Sequence, residues 1–106
     1  MKFLIIIFII SINITISAQS GSLSGKVSDK NGPLPAVNIF IINTNLGTAA
    51  NESGIYKISG IPAGNYEVRF SNVGYESKIV DVIIYPNKTT ELNITLTEAV
   101  IEIQSV

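Results

Sequence analysis

Apolar and polar residues alternate along most of the chain, in short stretches separated by turn-forming residues. The clearest stretch is residues 66–71, in which Tyr66, Val68 and Phe70 alternate with polar side chains. An alternation of period two is typical of a β-strand with one buried face. The same reasoning predicts seven strands, at residues 23–28, 36–42, 48–50, 55–58, 66–71, 80–84 and 90–96.

Turn-forming residues recur between these stretches at intervals of roughly 8–12 residues, the spacing typical of a β-sandwich or barrel. Gly32 can take the positive φ of a hairpin, and Pro33 and Pro35 cannot donate to a strand ladder, so residues 32–35 are predicted to form a loop or an edge bulge. Residues 36–42 are nearly all apolar, which predicts a central strand covered on both faces. We therefore expect an all-β fold, a seven-stranded antiparallel Greek-key β-sandwich.

The N-terminus has a different pattern. Lys2 is followed by an uninterrupted apolar run over residues 3–10, then by polar residues and the small Ala18. This arrangement is typical of a secretory signal peptide, predicted here as residues 1–18 with cleavage after Ala18. A retained membrane anchor is the alternative, but the run falls short of the ~20 residues that span a bilayer. A lipoprotein is excluded because the chain has no Cys to acylate.

Composition removes several classes of function. The 106 residues contain no Cys, no His and no Trp, so a zinc site of the usual nitrogen and sulfur type, a disulfide framework and a His-dependent nucleophile are excluded. The formal net charge is −1 without a basic cluster, so nucleic acid is not an expected partner. We predict no catalytic, cofactor-binding or metal-binding residue, and no enzyme activity.

Two turns superficially resemble calcium loops, at residues 29–32 and 51–54. An EF-hand loop needs more acidic ligands and a bidentate Glu at its twelfth position, so a plain turn is the preferred interpretation of both. Three sequons, at residues 51–53, 87–89 and 93–95, match the glycosylation pattern and are expected by chance in a chain rich in Asn and Thr.

The remaining candidates are carboxylates and tyrosines. The spacing of Asp29, Glu52, Glu67 and Glu76 does not place two of them across a cleft, so an acid/base pair is unsupported. Tyrosines could line a sugar-stacking surface, although in a sandwich they more often form the half-buried edge of the core. The tyrosines concerned are Tyr56, Tyr66, Tyr75 and Tyr85.

The order of the turns resembles a known family. The segments 25–29, 32–39, 47–48, 51–56, 61–66 and 74–75 resemble the carboxypeptidase-regulatory-like domain over roughly residues 21–96. The chain departs from the family at Ala50-Asn51, where Thr-Asp is common. The resemblance implies a transthyretin-like sandwich, found after the catalytic unit of some metallocarboxypeptidases and at the start of many TonB-dependent outer-membrane transporters.

Position along the chain favours the transporter arrangement, because residues 19–97 follow a signal peptide directly. Residues 98–106 look like a linker toward a TonB box and plug, with a frayed C-terminus or an eighth edge strand as the alternative. We expect a non-catalytic module of a fragment or truncated transporter, in the periplasm or outer membrane, whose partners are the plug and barrel or periplasmic proteins. The alternatives are a free-standing secreted binding or adhesion module, with a glycan as its ligand, and an accessory domain of a carboxypeptidase that lacks its catalytic part.

Overall fold

The computed structural model describes residues 19–100, which form nine strands. The predicted signal peptide and the predicted linker from residue 101 onward lie outside the described residues. The strands are β1 Ser20–Asp29, β2 Gly32–Pro33, β3 Asn38–Ile41, β4 Gly47–Ala49, β5 Ile55–Pro62, β6 Gly64–Ser71, β7 Lys78–Ile84, β8 Thr89–Glu91 and β9 Ile94–Thr95. Within residues 19–100 no helix is long and apolar enough to cross a membrane.

Two sheets make up the fold. In the first, β1 pairs with β2 and β5 in antiparallel fashion and with β8 and β9 in parallel. In the second, the strand order is β4-β3-β6-β7 and every pairing is antiparallel. The predicted all-β sandwich is confirmed, and the parallel pairing of the last two strands is a detail that the predicted antiparallel arrangement did not include.

The core lies between the inward faces of the two sheets. Phe70 on β6 is fully buried, and the ring of Tyr56 on β5 meets it edge to face with centroids 5.7 Å apart. Alternation therefore identified the buried positions of the central strands, because successive side chains of a strand point to opposite faces. The buried side chains that form this core are Leu23, Val27, Leu34, Val37, Ile39, Ile41, Ala50, Tyr56, Ile58, Ile61, Val68, Phe70, Val82, Ile84, Ile94 and Leu96.

The sandwich has two ends, at which different segments of the chain meet. The entry end comprises residues 19–20, 62–64 and 84–85, where Ala63 N–H donates to Gln19 O and β6 begins opposite the end of β7. The exit end comprises residues 29–32, 71–75 and 97–100, and it holds the last of the described residues. β1 is ten residues long and runs from the entry end to the exit end.

Three local predictions were wrong. Residues 36–42 do not form one strand covered on both faces: β3 begins at Asn38, after Ala36 takes a φ of 60°, and Phe40 on its outer face is 43% exposed. The last predicted strand is split into β8 and β9 because Leu92 turns its carbonyl away toward Tyr56. Gly32–Pro33 is not a loop or an edge bulge but a two-residue strand paired with the end of β1.

Candidate functional site

Three of the four candidate tyrosines have hydroxyls that donate hydrogen bonds within the fold, and two of these, Tyr56 and Tyr75, connect segments distant along the chain. Tyr56 is buried, and its hydroxyl donates to Leu92 O over 2.6 Å. Burial raises the pKa of Tyr56, so its hydroxyl stays protonated at ordinary pH. At the exit end the Tyr75 hydroxyl donates to Asp29 Oδ2 over 2.7 Å. The structure thus gives both side chains a structural role rather than an open face for a sugar.

The other two tyrosines lie at or near the entry end. Tyr66 is half-buried, and its hydroxyl donates to Pro62 O over 2.6 Å. Tyr85 follows the last residue of β7 and is 50% exposed. Because Tyr56 is in the core and Tyr75 lies at the opposite end, the four side chains do not form the single stacking surface considered from the sequence.

The two turns that resemble calcium loops use their side chains to hold the backbone. Asp29 Oδ1 accepts Asn31 N–H over 2.8 Å, while Asn51 Oδ1 accepts the N–H groups of Ser53 and Ile55 over 3.0 and 2.9 Å. Gly54 closes the second turn with a φ of 74°. These are Asx turns, in which the side-chain oxygen replaces a backbone acceptor.

A groove on the outer side of the second sheet brings polar and apolar side chains together. It measures about 710 Å³ and extends from the turn at residues 42–44 across residues 65–67 of β6 to residues 81–83 of β7. The turn is shaped locally: Asn43 takes a φ of 66°, and the Thr44 hydroxyl donates to Ile41 O over 2.7 Å while accepting Leu46 N–H. β3 therefore ends early, and the first residues of β6 extend beyond it.

Two carboxylates meet in this groove. Glu67 on β6 and Asp81 on β7 are directly opposite each other in the antiparallel register, and both are exposed. Such opposed residues have Cβ atoms about 5 Å apart, and like charges in this arrangement repel. The four carboxylates considered from the sequence did not include Asp81, so this pair was not among the predictions. The register of the β6–β7 hairpin brings the two residues together, and spacing along the chain does not reveal it.

The exit end carries a second feature. The predicted linker begins with a short pairing, in which Tyr75 and Glu98 form an antiparallel bridge, Glu76 N–H donates to Thr97 O and Ala99 N–H donates to Gly74 O, both over 2.9 Å. The hydrogen bond from Tyr75 holds the pKa of Asp29 below its ordinary value. The same bond raises the pKa of Tyr75 to about 12. Tyr75 therefore connects the departing chain to the first hairpin.

A scan against family models matches residues 23–106 to the CarboxypepD_reg-like domain. The chain belongs to this family. The match includes every strand from the middle of β1 onward, and it agrees with the resemblance carried by the turns. A search of curated proteins found no match.

Several solved structures share the fold. One is a chain of a type II cohesin–X-dockerin complex from Acetivibrio cellulolyticus (TM-score 0.65, 15% identity, covering 74% of this chain and 58% of that chain). A second is the minor pilin GBS52 of Streptococcus agalactiae (TM-score 0.63, 18% identity, covering 83% of this chain and 49% of that chain). A third is 3-chlorocatechol 1,2-dioxygenase from Rhodococcus opacus (TM-score 0.60, 15% identity, 78% of this chain and 61% of that chain).

These likenesses concern the fold alone, because identities this low carry no information about ligands. The chain spans about half to three-fifths of the length of these three structures. Family membership supports a non-catalytic β-sandwich module.

Proposed function

We propose that this chain is the N-terminal periplasmic module of a TonB-dependent outer-membrane nutrient transporter. Residues 1–18 direct export and are removed after Ala18, residues 19–97 fold as the module, and the chain continues from residue 98 as a linker to the TonB box and plug. The module performs no chemistry in this proposal. Its task is to form a compact unit between the exported N-terminus and the segment that TonB engages.

The observation that carries the proposal is the placement of the two chain ends. Gln19 lies at the entry end, where its carbonyl accepts Ala63 N–H over 3.0 Å. Val100 lies at the exit end, close to Asp29 and Lys30. β1 alone separates these ends by about 30 Å, given a rise of about 3.3 Å per residue over its ten residues. A domain with its ends at opposite poles can stand in series between two functional segments.

The manner of exit supports the same conclusion. Residues 97–99 leave the fold in an extended conformation, paired with residues 74–76. The sequence then continues with Ile101, Glu102 and Ile103, a pattern that favours further extended structure. An extended segment is what strand-addition recognition by a partner requires.

Sequencing of the genomic reading frame beyond Val106 tests the proposal. We expect several hundred further residues, including a plug and strands of about ten residues with alternating hydrophobicity. N-terminal sequencing of the exported protein is expected to begin at Gln19, and fractionation to place it in the outer membrane. A stop codon after Val106 together with a folded, exported product would refute the transporter assignment and favour the free-standing secreted module. A reading frame that joins this domain to a metallocarboxypeptidase would favour the accessory-domain alternative.

A further inference from the structure

We propose that the groove between the turn at residues 42–44 and strands β6 and β7 binds an extended segment of a partner protein that carries Lys or Arg between apolar residues. The groove is formed by the domain alone, so this proposal does not depend on the transporter assignment. Three properties of the groove support it: an open strand edge, two opposed carboxylates and apolar walls.

The open edge is the first part of β6. Ile42 N–H donates to Glu67 O over 2.9 Å, which identifies the side of β6 that faces β3. Asn65 lies two residues before Glu67, so its N–H and C=O point to that same side. β3 has ended by then, and within residues 19–100 its register with β6 extends no further than Val68 opposite Ile41. The backbone of Asn65 is therefore available to pair with an incoming strand.

The opposed carboxylates determine which segment fits. Glu67 and Asp81 lie side by side on adjacent strands of the groove. Arg69 lies on the same outward face of β6 but does not line the groove, so a cation placed between the two carboxylates would relieve their mutual repulsion. A guanidinium or ammonium group can hydrogen-bond to both. Ile42 and Ile83 line the same groove, and Ile83 is 49% exposed. Such walls suit the alkyl stem of Lys or Arg and the apolar neighbours on the incoming strand.

The negative charge of the groove favours a basic partner segment over residues 98–106 of a second copy of this chain. The segment 98–106 alternates apolar and polar residues in part, but it contains Glu98 and Glu102 and no Lys or Arg. It would bring negative charge against Glu67 and Asp81. A partner segment of positive charge avoids this repulsion.

A glycan is less suited to the groove than a basic peptide. Tyr66 is the aromatic residue that lines it, and this side chain is half-buried with its hydroxyl already donating to Pro62 O. Sugar binding generally uses an exposed aromatic face, whereas strand addition uses backbone groups and alternate side-chain pockets.

The test is a titration of the purified full chain, followed by amide NMR shifts, with a synthetic octapeptide in which valine and threonine alternate around a central lysine. We expect saturable shifts concentrated at the amides of Asn43, Asn65 and Glu67. The variant Glu67→Gln/Asp81→Asn should bind roughly tenfold more weakly or worse, as expected for lost charge-assisted hydrogen bonds. The matched control Glu52→Gln/Glu76→Gln removes the same charge from exposed positions outside the groove and should bind as the parent does.

Two peptide variants keep the test independent of the folding of any protein variant. A peptide with glutamate in place of lysine, and one methylated on alternate backbone nitrogens, should both fail to bind. Equal binding of the glutamate peptide, or of a peptide matching residues 101–106, would overturn the charge argument. No binding of the lysine peptide at a concentration on the order of 1 mM, the weak limit of specific association, would overturn the proposal. Preferential binding of a neutral hexasaccharide would overturn it in favour of a glycan.

Discussion

Replacing Tyr56 by Phe should destabilise the domain through one hydroxyl group. Tyr56 is only 2% exposed, and its hydroxyl donates to Leu92 O over 2.6 Å, at the point where the chain passes from β8 to β9. The substitution keeps the ring and its edge-to-face contact with Phe70 but leaves a buried carbonyl without this donor. The expected loss is about 1–2 kcal/mol of unfolding free energy. For a domain of this size, such a loss lowers Tm by on the order of 10 °C.

The control is the same substitution at Tyr66. Its hydroxyl makes a hydrogen bond of the same length, 2.6 Å, to Pro62 O, but that bond is exposed to solvent. Water can replace the lost donor there, so Tyr66→Phe should cost less than about 0.5 kcal/mol. Urea denaturation of both variants measures the difference, with unchanged m-values showing that the unfolding transition is the same. Equal losses in the two variants would refute the reasoning that burial decides the energetic value of this bond.

Three further predictions concern other parts of the fold. Gly25→Ala should cost about 2–3 kcal/mol in urea denaturation, because an added Cβ would collide with Leu92 O; a neutral result would contradict the close packing of β1 against the segment that joins β8 to β9. Phe70→Ala, at a fully buried position, should lower the unfolding free energy by about 3–5 kcal/mol. A variant that unfolds cooperatively at the same urea concentration as the parent would show that Phe70 does not lie in the core. Asp29 has a lowered pKa, so its contribution to stability is present above its ordinary pKa of 3.8 and is lost as the pH falls through the folded value. Tyr75→Phe should therefore reduce the loss of unfolding free energy in acid, measured by urea denaturation at a series of pH values. If the variant and the parent lose the same free energy as the pH falls, the hydrogen bond from Tyr75 does not link the protonation of Asp29 to stability.

Alternation predicted the inward faces of the long strands well. Val68 and Phe70 on β6 are fully buried, as are Leu23 and Val27 on β1. These strands lie in the middle of their sheets, where each has a solvent-facing and a core-facing side, so the period of two appears in the sequence. The sequence therefore contains enough information to assign the sandwich and its core.

Strand ends were harder to predict, because they depend on contacts distant in sequence. The break at Leu92 requires the N–H of that residue to donate to Ser24 O and its carbonyl to accept from Tyr56. Both partners are far away along the chain. In the same way, the apolar character of residues 36–42 concealed an exposed outer face at Phe40, since an apolar run does not reveal which of its residues meets solvent.

The candidate site was predictable only in part for a related reason. Glu67 was identified as a carboxylate, but its neighbour Asp81 is defined by the hairpin register and not by its spacing along the chain. The groove itself exists because Asn43 and Thr44 end β3 while β6 continues past it. The early end of β3 does not change the apolar–polar alternation of β6, so the sequence of β6 does not reveal it.

The positions that hold the fold and those that form the groove lie on opposite sides of the same strands. Val68 and Val82 face the core, while Glu67 and Asp81 face outward. A change of the outward residues alters the charge of the groove without removing buried apolar area, so its cost to folding is small compared with that of a core substitution. This separation explains how a sandwich can keep its architecture among chains with 15–18% identity, since the outward residues can change without loss of the core. The specificity of the module should therefore follow the outward residues of β6 and β7, and exchanging those residues should transfer binding without transferring stability.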